Sequence, residues 1–359
     1  MVLKTGSGSR ILLKTERYFT ERSRNNSGPF FMKGKRIKRV PNVREKLSRK
    51  SVENSKLNEM KITVIGLGLI GGSIARDLRN SGFATELIGV ENNEDHAEQA
   101  LELGLVDRVL PLEEGVKNTD MVIIAIPVDK TLALLPDILD RIDSGTTVTD
   151  MGSTKKQLVD AVSRHKRRKN FVPAHPMSGT ENSGPKAALE NLFRGKIAII
   201  CDQEDSGPQH IALIEKLFQN LGMDIAYMTA DEQDHSTAFV SHLPHAAAYA
   251  LANAVQAKED RNIIFDLASG GFRSTVRLAK SSATMWHPIF QQNRPYVVEA
   301  LNVYIKHLTQ FRDCMKHEND EKMWDLIENA NNIREILGGA NPHLVKNEEK
   351  ITKLYTKKS

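Results

Sequence analysis

The stretch Met60-Lys-Ile-Thr-Val-Ile-Gly66-Leu-Gly68-Leu-Ile-Gly71-Gly72-Ser73 decides the fold of this chain. The apolar run from Ile62 to Ile65 predicts a buried parallel strand, and the residues that follow the glycines have helical spacing. A strand, the pattern Gly-x-Gly-x-x-Gly and a helix in this order are typical of a dinucleotide-binding unit. We therefore expect a pyrophosphate at the N-terminus of the helix, where free N–H groups point at the phosphates.

Each motif glycine has its own physical role. Gly66 permits the tight turn out of the strand, Gly68 lets the pyrophosphate approach the backbone, and Gly71 lets the helix pack close to the strand. A second predicted strand, 87–90, ends in Glu91. A carboxylate there would bind the adenosine ribose hydroxyls and repel a 2′-phosphate, so the sequence favours NAD over NADP. The alternative is a glycine-rich turn in another kind of α/β protein.

Length and composition indicate a globular chain with room for two domains. Of the 359 residues, 40% are hydrophobic and 26% are charged. No run approaches the roughly 18 apolar residues of a membrane span, so we expect no membrane partner. The two cysteines, Cys201 and Cys314, lack metal-ligand spacing and indicate a reducing compartment, which favours a cytoplasmic location.

The basic charge of the chain is concentrated before Met60. Residues 1–59 carry 16 Lys and Arg against 5 Asp and Glu, a net charge of +11, so the remainder of this +5 chain carries −6. The remainder therefore has no nucleic-acid footprint, and we expect residues 1–59 to be a disordered extension. Three interpretations of the extension stay open: a true start at Met60, an organelle transit peptide, or an arm that binds an acidic partner.

Strand and helix patterns alternate up to about residue 228, which predicts a Rossmann-like domain over 60–228. Further strands are predicted at 120–126, 146–149, 171–173, 196–201 and 223–228, and helices at 95–103, 130–141, 153–164 and 208–221. Ser153 is predicted to be the N-cap of its helix, and His175 is predicted in a loop. Because ligands of such a sheet bind outside the carboxyl ends of the strands, we expect both residues to face the cofactor.

After about Thr229 the pattern becomes helical. Helices are predicted at 234–257, 262–269, 288–316 and 321–337, with a stop at Gly338-Gly339. The small apolar run 246–255 favours close helix packing. We expect residues 229–340 to form an all-α dimerisation domain, followed by a polar tail at 341–359. The alternative is an ordinary intramolecular core.

Several polar side chains outside the glycine motif are candidates for chemistry. His175 has the titration range to take a proton from an alcohol during hydride transfer, and Ser153 can hydrogen-bond the same hydroxyl. His242 and His245 lie three residues apart, on one face of a helix. No Cys or carboxylate stands at ligand spacing from them, so we expect no metal and favour contact with a polar substrate.

A second group of candidates follows a predicted helix end. The stretch Gly270 to Arg277 is rich in hydrogen-bond donors, and an arginine there matches a carboxylate bidentately. The alternative is that these are surface arginines. Trp286 is expected either to form the wall of an apolar pocket or to pack in the core.

Five pieces of the chain together resemble the prephenate/arogenate dehydrogenase family and span about residues 60 to 338. They are Gly66-Leu-Gly-Leu-Ile-Gly-Gly-Ser73, Thr149-Asp150-Met-Gly-Ser153-Thr-Lys155, His175-Pro-Met-Ser-Gly-Thr-Glu181, Ser241-His-Leu-Pro-His245, and Gly270-Gly-Phe-Arg to Arg277-Leu-Ala-Lys with Met285-Trp286. The resemblance implies oxidative decarboxylation of prephenate to 4-hydroxyphenylpyruvate in tyrosine biosynthesis. It also implies an α/β Rossmann-like NAD-binding domain, an all-α C-terminal dimerisation domain and a homodimer.

The resemblance also assigns roles to residues. The catalytic histidine falls on His175, its partner serine on Ser153, and the arginine that pairs with the ring carboxylate on Arg277. Further substrate contacts are expected from Thr180, Glu181, His242 and His245, and cofactor contacts from Gly66, Gly68, Leu69, Ile70, Gly71, Glu91, Pro127 and Ser153. Two alternatives remain: an enzyme that uses arogenate and gives tyrosine directly, and a non-catalytic nucleotide-sensing protein with a basic binding arm.

Overall fold

The strand before the glycine motif lies inside an eight-stranded sheet. The computed structural model describes residues 60–337, so the predicted extension 1–59, the helix stop at Gly338-Gly339 and the tail 341–359 lie outside the described residues. The strands are β1 (Lys61–Ile65), β2 (Glu86–Val90), β3 (Arg108–Val109), β4 (Met121–Ile124), β5 (Thr147–Asp150), β6 (Phe171–Pro176), β7 (Ile197–Cys201) and β8 (Asp224–Met228).

Helices follow most of the strands and make up the second half of the described chain. They are α1 (Leu69–Ser81), α2 (Glu94–Glu102), α3 (Leu112–Gly115), α4 (Val128–Arg141), α5 (Lys156–Val162), α6 (Pro208–Asn220), α7 (Ala230–Thr237), α8 (Leu243–Gln256), α9 (Arg261–Asp266), α10 (Gly270–Thr275), α11 (Ala283–Gln292), α12 (Arg294–Lys316), α13 (Asp320–Asn331) and α14 (Ile333–Ile336). None of the described helices is long and apolar enough to cross a membrane.

The sheet has the order β3-β2-β1-β4-β5-β6-β7-β8. Its described neighbours are parallel, apart from β6 and β7, which pair antiparallel. The chain order reverses between β1 and β4, and such a reversal opens a crevice at the carboxyl ends of the strands. The predicted α/β fold with a helical second half is therefore confirmed, and the crevice lies where the glycine motif begins.

The two faces of the sheet are buried by different helices. Ile62 and Val64 of β1 join a core that includes residues of α1 and α6, whereas Ile65 joins a second core with residues of α4. Both faces of β1 are thus covered, as expected of a parallel strand with a continuous apolar run. Because each buried aliphatic side chain contributes about 1.5–3 kcal/mol, this double burial fixes the position of the glycine turn.

The helical half is more divided than the sequence indicates. The helix predicted at 234–257 is present and runs without interruption from Ala230 to Gln256, but it begins four residues earlier and contains a π-helical segment, Ala238–His242, between α7 and α8. The single helix predicted at 288–316 is wrong, since α11 ends and α12 begins around Asn293. Residues 270–275, predicted to follow a helix end as a donor-rich stretch, form α10, and a short 3-10 helix begins at Arg277. In the first half, β3 and α3 are short elements that sequence patterns did not indicate.

Candidate active site

The glycine turn has the geometry that the sequence predicts. Gly66 has a φ of +88°, in the left-handed region that favours glycine. A Cβ on Gly71 would lie 1.9 Å from the carbonyl oxygen of Gly66, so the helix could not pack this closely with any other residue. A Cβ on Gly68 would meet only the backbone nitrogen of Gly184, at 3.9 Å, which leaves open space beside the turn. The structural roles of Gly66 and Gly71 are confirmed, and contact with a cofactor remains a prediction.

The N-terminus of α1 fits a phosphate group. Gly68 caps this helix without a side-chain hydrogen bond, and the first turn contains no acidic residue. Its first N–H groups are therefore free to bind an anion. Glu91, directly after β2, accepts hydrogen bonds from the backbone N–H of Leu67 at 3.0 Å and of Asn93 at 3.1 Å. The carboxylate is thereby fixed beside the glycine turn, and these residues fit a dinucleotide.

The other predicted cofactor residues border the same crevice. Leu69 and Ile70 are the first two residues of α1, and Pro127 is the residue before α4. The chain just before Pro127 packs against the glycine turn, since a Cβ on Gly66 would lie 2.5 Å from the Ile126 side chain. The carboxyl ends of β1 and β4 thus meet here.

His175 lies in β6, and its predicted position in a loop is wrong. The prediction failed because β6 continues to Pro176 through antiparallel pairing with β7, in which His175 lies opposite Ile199. The side chain is 7% exposed. Burial lowers the pKa of His175 well below its ordinary value of 6.5, and the positive charge of Lys155 lowers it further. The imidazole is therefore neutral over the physiological pH range.

The turn that carries Ser153 is built around a buried ammonium group. Lys155 Nζ donates hydrogen bonds to Asp150 Oδ2 at 2.5 Å, to the carbonyl of Gly152 at 2.7 Å and to the carbonyl of Thr154 at 3.2 Å. Ser153 therefore belongs to the turn before α5. The prediction that Ser153 caps this helix is wrong, because α5 begins at Lys156 with Lys155 as its N-cap.

Two residues of α7 hold this turn from the other side, and sequence reasoning missed both. The Asp234 carboxylate accepts from the backbone N–H of Lys155 at 2.8 Å and of Lys156 at 2.9 Å, so it caps α5. Gln233 Nε2 lies 3.0 Å from the carbonyl of Ser153 and 3.2 Å from His175 Nδ1. Gln233 thus connects the predicted catalytic serine and histidine.

A sequence signal for this arrangement was present. Thr229 and Glu232 form a capping box, which starts α7 at Ala230, four residues before the predicted helix start. With that start, Gln233 and Asp234 lie within the first two turns of α7, immediately after the last strand of the sheet. The contact with Ser153 itself could not be found this way, since the two residues are 80 positions apart.

Three aromatic side chains of the helical half come together. The rings of His245 and Trp286 stack with centroids 3.4 Å apart, and the ring of His242 meets Trp286 edge-on at 5.9 Å. His242 is fully buried, and its Nδ1 lies 3.0 Å from the side-chain nitrogen of Asn293. Burial lowers the pKa of His242 to about 4. Trp286 packs against Val128, the first residue of α4, which places the cluster beside the crevice.

Arg277 and Glu181 form an ion pair between the two halves of the chain. Arg277 Nη1 donates to Glu181 Oε2 at 2.8 Å, with side chains that are 51% and 27% exposed. Burial lowers the pKa of His245, although a hydrogen bond to the Ser241 carbonyl raises it in part. The positive charge of Arg277 lowers it further. The ion pair joins Glu181 of the first half of the chain to Arg277 of the second, and Thr180 precedes Glu181 in the same segment.

The segment with Glu181 is attached to α1. Ser73 Oγ accepts from the backbone N–H of Leu189 at 2.9 Å, and Arg76 donates to the carbonyl of Ala188 at 2.9 Å. These bonds hold Gly184 over the glycine turn. Among residues 60–337, no three His, Cys, Asp or Glu side chains come together as metal ligands.

Two family models match consecutive parts of the chain. The model described as "Prephenate dehydrogenase, nucleotide-binding domain" matches residues 74–227, and "Prephenate dehydrogenase, dimerization domain" matches residues 229–330. The chain belongs to the prephenate dehydrogenase family. The family resemblance, the Rossmann-like fold and the expectation of a dehydrogenase are thereby confirmed. The second match also supports the expected dimer.

Individual relatives in this family have more than one substrate name. The prephenate dehydrogenase of Bacillus subtilis is 32% identical over 287 residues, which cover 78% of this chain and 77% of that protein. The cyclohexadienyl dehydrogenase of Zymomonas mobilis is 28% identical, over 76% of this chain and 94% of that protein. The names of these relatives establish a family of dehydrogenases, and they do not agree on one substrate.

Solved structures of the family share the architecture. The prephenate dehydrogenase of A. aeolicus, in complex with hydroxyphenyl propionate and NAD+, is 28% identical, with a TM-score of 0.71 over 79% of this chain and 100% of that chain. The arogenate dehydrogenase of Synechocystis is 29% identical, with a TM-score of 0.64 over 77% of this chain and 100% of that chain.

Proposed function

We propose that this chain catalyses the NAD-dependent oxidative decarboxylation of prephenate to 4-hydroxyphenylpyruvate, a step of tyrosine biosynthesis. Two observations carry the proposal: the contacts of Gln233 with His175 and with the Ser153 carbonyl, and the ion pair between Arg277 and Glu181, which joins the two halves of the chain. The family membership and the relatives named prephenate dehydrogenase support it.

The cofactor contacts follow from the glycine turn. The N–H groups at the start of α1, around Leu69 and Ile70, bind the pyrophosphate, and Glu91 accepts hydrogen bonds from the adenosine ribose. When bound, NAD supplies an electron-poor nicotinamide ring that accepts a hydride. Pro127 and Ser153, which follow β4 and β5, border the nicotinamide end of the crevice.

His175 acts as the base at the C4 hydroxyl of the substrate. Its neutral imidazole takes the hydroxyl proton while C4 loses a hydride to the nicotinamide ring, which converts the C4 alcohol to a ketone. The C1 carboxylate then leaves as carbon dioxide, and its bonding electrons make the ring aromatic with the negative charge on the C4 oxygen. The imidazolium of His175 returns its proton to that oxygen, so the step balances. Ser153 hydrogen-bonds the same oxygen and orients it.

Arg277 binds the ring carboxylate of the substrate. In the structure its guanidinium is paired with Glu181 in an exposed position, where such pairs contribute only about 0–1 kcal/mol. A substrate carboxylate can therefore replace Glu181 at low cost. His242 and His245 approach the polar side chain of the substrate, and Trp286 and Val128 form the apolar wall beside the ring.

An arogenate-specific activity is the second candidate. It is favoured by the arogenate dehydrogenase of Synechocystis and the cyclohexadienyl dehydrogenase of Zymomonas mobilis among the relatives. Prephenate and arogenate differ only in a keto versus an amino group on the side chain. The test is to compare initial rates of the purified chain with prephenate and arogenate, each with NAD and NADP. We expect the highest kcat/KM with prephenate and NAD, and a higher value with arogenate would reverse the assignment.

We also propose a homodimer through the helical half and a cytoplasmic location. The face of α12 exposes Val298, Ile305, Leu308 and Met315, each at least 49% exposed, which is unusual for the surface of a monomer. A second copy would bury this face. Sedimentation should give about twice the chain mass, and a monomer at micromolar concentration would contradict the proposal.

A further inference from the structure

The ion pair between Asp150 and Lys155 is the most deeply buried pair of opposite charges among the described residues. The side chains are 1% and 0% exposed. All three ammonium hydrogens of Lys155 have oxygen acceptors, namely Asp150 Oδ2 and the carbonyls of Gly152 and Thr154. The six-residue turn 150–155 is therefore wrapped around a fixed positive charge.

Stability alone does not explain such a pair. Each buried charge loses several kcal/mol of hydration, and replacing a buried pair with uncharged groups of similar volume is often neutral or stabilising. The turn is nevertheless closely fitted to the pair. A Cβ on Gly152 would lie 3.0 Å from Asp150 Oδ2 and 3.0 Å from the Val128 side chain, so the backbone has little room to shift. The ion pair therefore holds the turn 150–155 in one conformation, at a cost in stability.

That geometry includes both predicted catalytic residues. Ser153 lies within the turn, two residues before Lys155. Asp150 Oδ2 also accepts from the backbone N–H of Gly152 at 2.9 Å, and Asp150 Oδ1 lies 3.4 Å from the backbone nitrogen of Ala174, the residue before His175. The pair thus links the turn of Ser153 to the end of β6.

Several groups surround His175 in addition to Lys155. His242 approaches from the π-helical segment, the neutral amide of Gln233 approaches Nδ1 from α7, and the Asp234 carboxylate caps α5 behind the turn. Lys155 provides the fixed positive charge that acts on the imidazole, because His242 is itself neutral at physiological pH. A nearby cation disfavours a second one.

We propose that Asp150 and Lys155 are positioning residues of the active site, which hold the turn of Ser153 against β6 beside His175 and fix a positive charge close to that histidine. The proposal rests on the proposed function for its catalytic consequence. Its electrostatic part concerns the free protein and can be tested without any substrate.

The test is a histidine-labelled NMR titration of the whole chain, with His175→Asn to assign the signal. In the unmodified protein we expect His175 to titrate well below 6.5. In the double variant Asp150→Asn/Lys155→Met, which removes both charges at similar volume, we expect this midpoint to rise toward the ordinary value. The matched control is Asp137→Asn/Arg141→Met, which removes a partly exposed pair on α4 and should leave the midpoint unchanged.

Kinetics of the same variants test the positioning part. For the double variant we expect kcat with prephenate to fall at least about tenfold, as a misplaced catalytic group predicts. The acid limb of its kcat/KM profile should move upward together with the NMR midpoint. A folded double variant with an unchanged midpoint and unchanged kcat would overturn the proposal.

Two further outcomes separate the possible failures. If the double variant does not fold, the titration of the unmodified protein still tests the proposal, because a His175 midpoint at or above 6.5 would overturn it. If the unmodified protein forms no NADH with prephenate, the proposed function fails, whereas the NMR result on Lys155 and His175 stands on its own.

Discussion

Two ion pairs border the crevice, and they differ in almost every physical respect. Asp150–Lys155 is buried, lies within one short turn and has every ammonium hydrogen bonded. Glu181–Arg277 is exposed, joins segments 96 residues apart and consists of a single hydrogen bond. A buried pair with full hydrogen bonding is hard to break, whereas an exposed pair exchanges partners readily. In the proposed function, the buried pair belongs to a rigid side of the site, where proton and hydride transfer would occur, and the exposed pair belongs to an exchangeable side, which would bind the substrate carboxylate.

The largest effect should come from the rigid side. For His175→Asn we expect kcat with prephenate to fall about 10²- to 10⁴-fold, since Asn keeps a hydrogen-bonding group but cannot take a proton. The KM for prephenate should change by only a few-fold. Steady-state kinetics of the purified variant measure both, with His317→Asn, at the exposed residue after α12, as a control. Normal turnover of His175→Asn would show that another group is the base.

A substitution on the exchangeable side should mainly weaken substrate binding. For Arg277→Ala we expect kcat/KM with prephenate to fall roughly 10- to 100-fold, because a hydrogen bond to a charged group is worth about 1.5–3 kcal/mol. Most of this loss should lie in KM. Arg164→Ala, at an exposed position after α5, is the control for loss of a positive charge. A loss confined to kcat would place Arg277 in the chemistry and contradict the division into two sides.

A substitution of Asp234, on the rigid side of the site, should change how the free energy of unfolding depends on pH. Burial raises its pKa to about 6 from the ordinary 3.8, so the unfolded carboxyl ionises at lower pH than the folded one. Its contribution to stability is therefore present below pH 3.8 and is lost as the pH rises to about 6. Because Asp234→Asn does not titrate, the free energy of unfolding of this variant should rise relative to that of the unmodified chain across this window, by about 3 kcal/mol. Urea denaturation at several pH values measures the difference, and a constant difference would contradict the raised pKa.

The smallest effect should come from Glu181→Gln. Loss of an exposed pair should change the free energy of unfolding by less than about 1 kcal/mol. Because Arg277 then has no competing carboxylate, the KM for prephenate should stay equal or fall slightly. Thermal melting and steady-state kinetics check both expectations. A destabilisation as large as that of breaking a buried pair would mean that the two pairs are alike.

The sequence predicted the first half of the site better than the second. The glycine turn is local: Gly66, Gly68 and Gly71 act within six residues, and Glu91 follows the next strand. Such short-range geometry can be read from spacing. The burial of His175 could not, because it depends on antiparallel pairing of β6 with β7, a strand more than 20 residues further along.

Contacts between distant segments were beyond sequence reasoning. The bond from Gln233 to Ser153 and the cap of Asp234 on α5 depend on how α7 packs against the sheet. The π-helical segment Ala238–His242 and the helix break around Asn293 were missed for a related reason, since tertiary packing there overrides a regular α-helical pattern. Motif resemblance named His175, Ser153 and Arg277, but the groups that position them emerged only from the fold.

The most direct measurement is the stoichiometry of the reaction of the purified chain with prephenate and NAD. Our account predicts that NADH, carbon dioxide and 4-hydroxyphenylpyruvate form in equal amounts, and that His175→Asn reduces all three together. Absence of NADH formation with both prephenate and arogenate, or NADH without release of carbon dioxide, would contradict it.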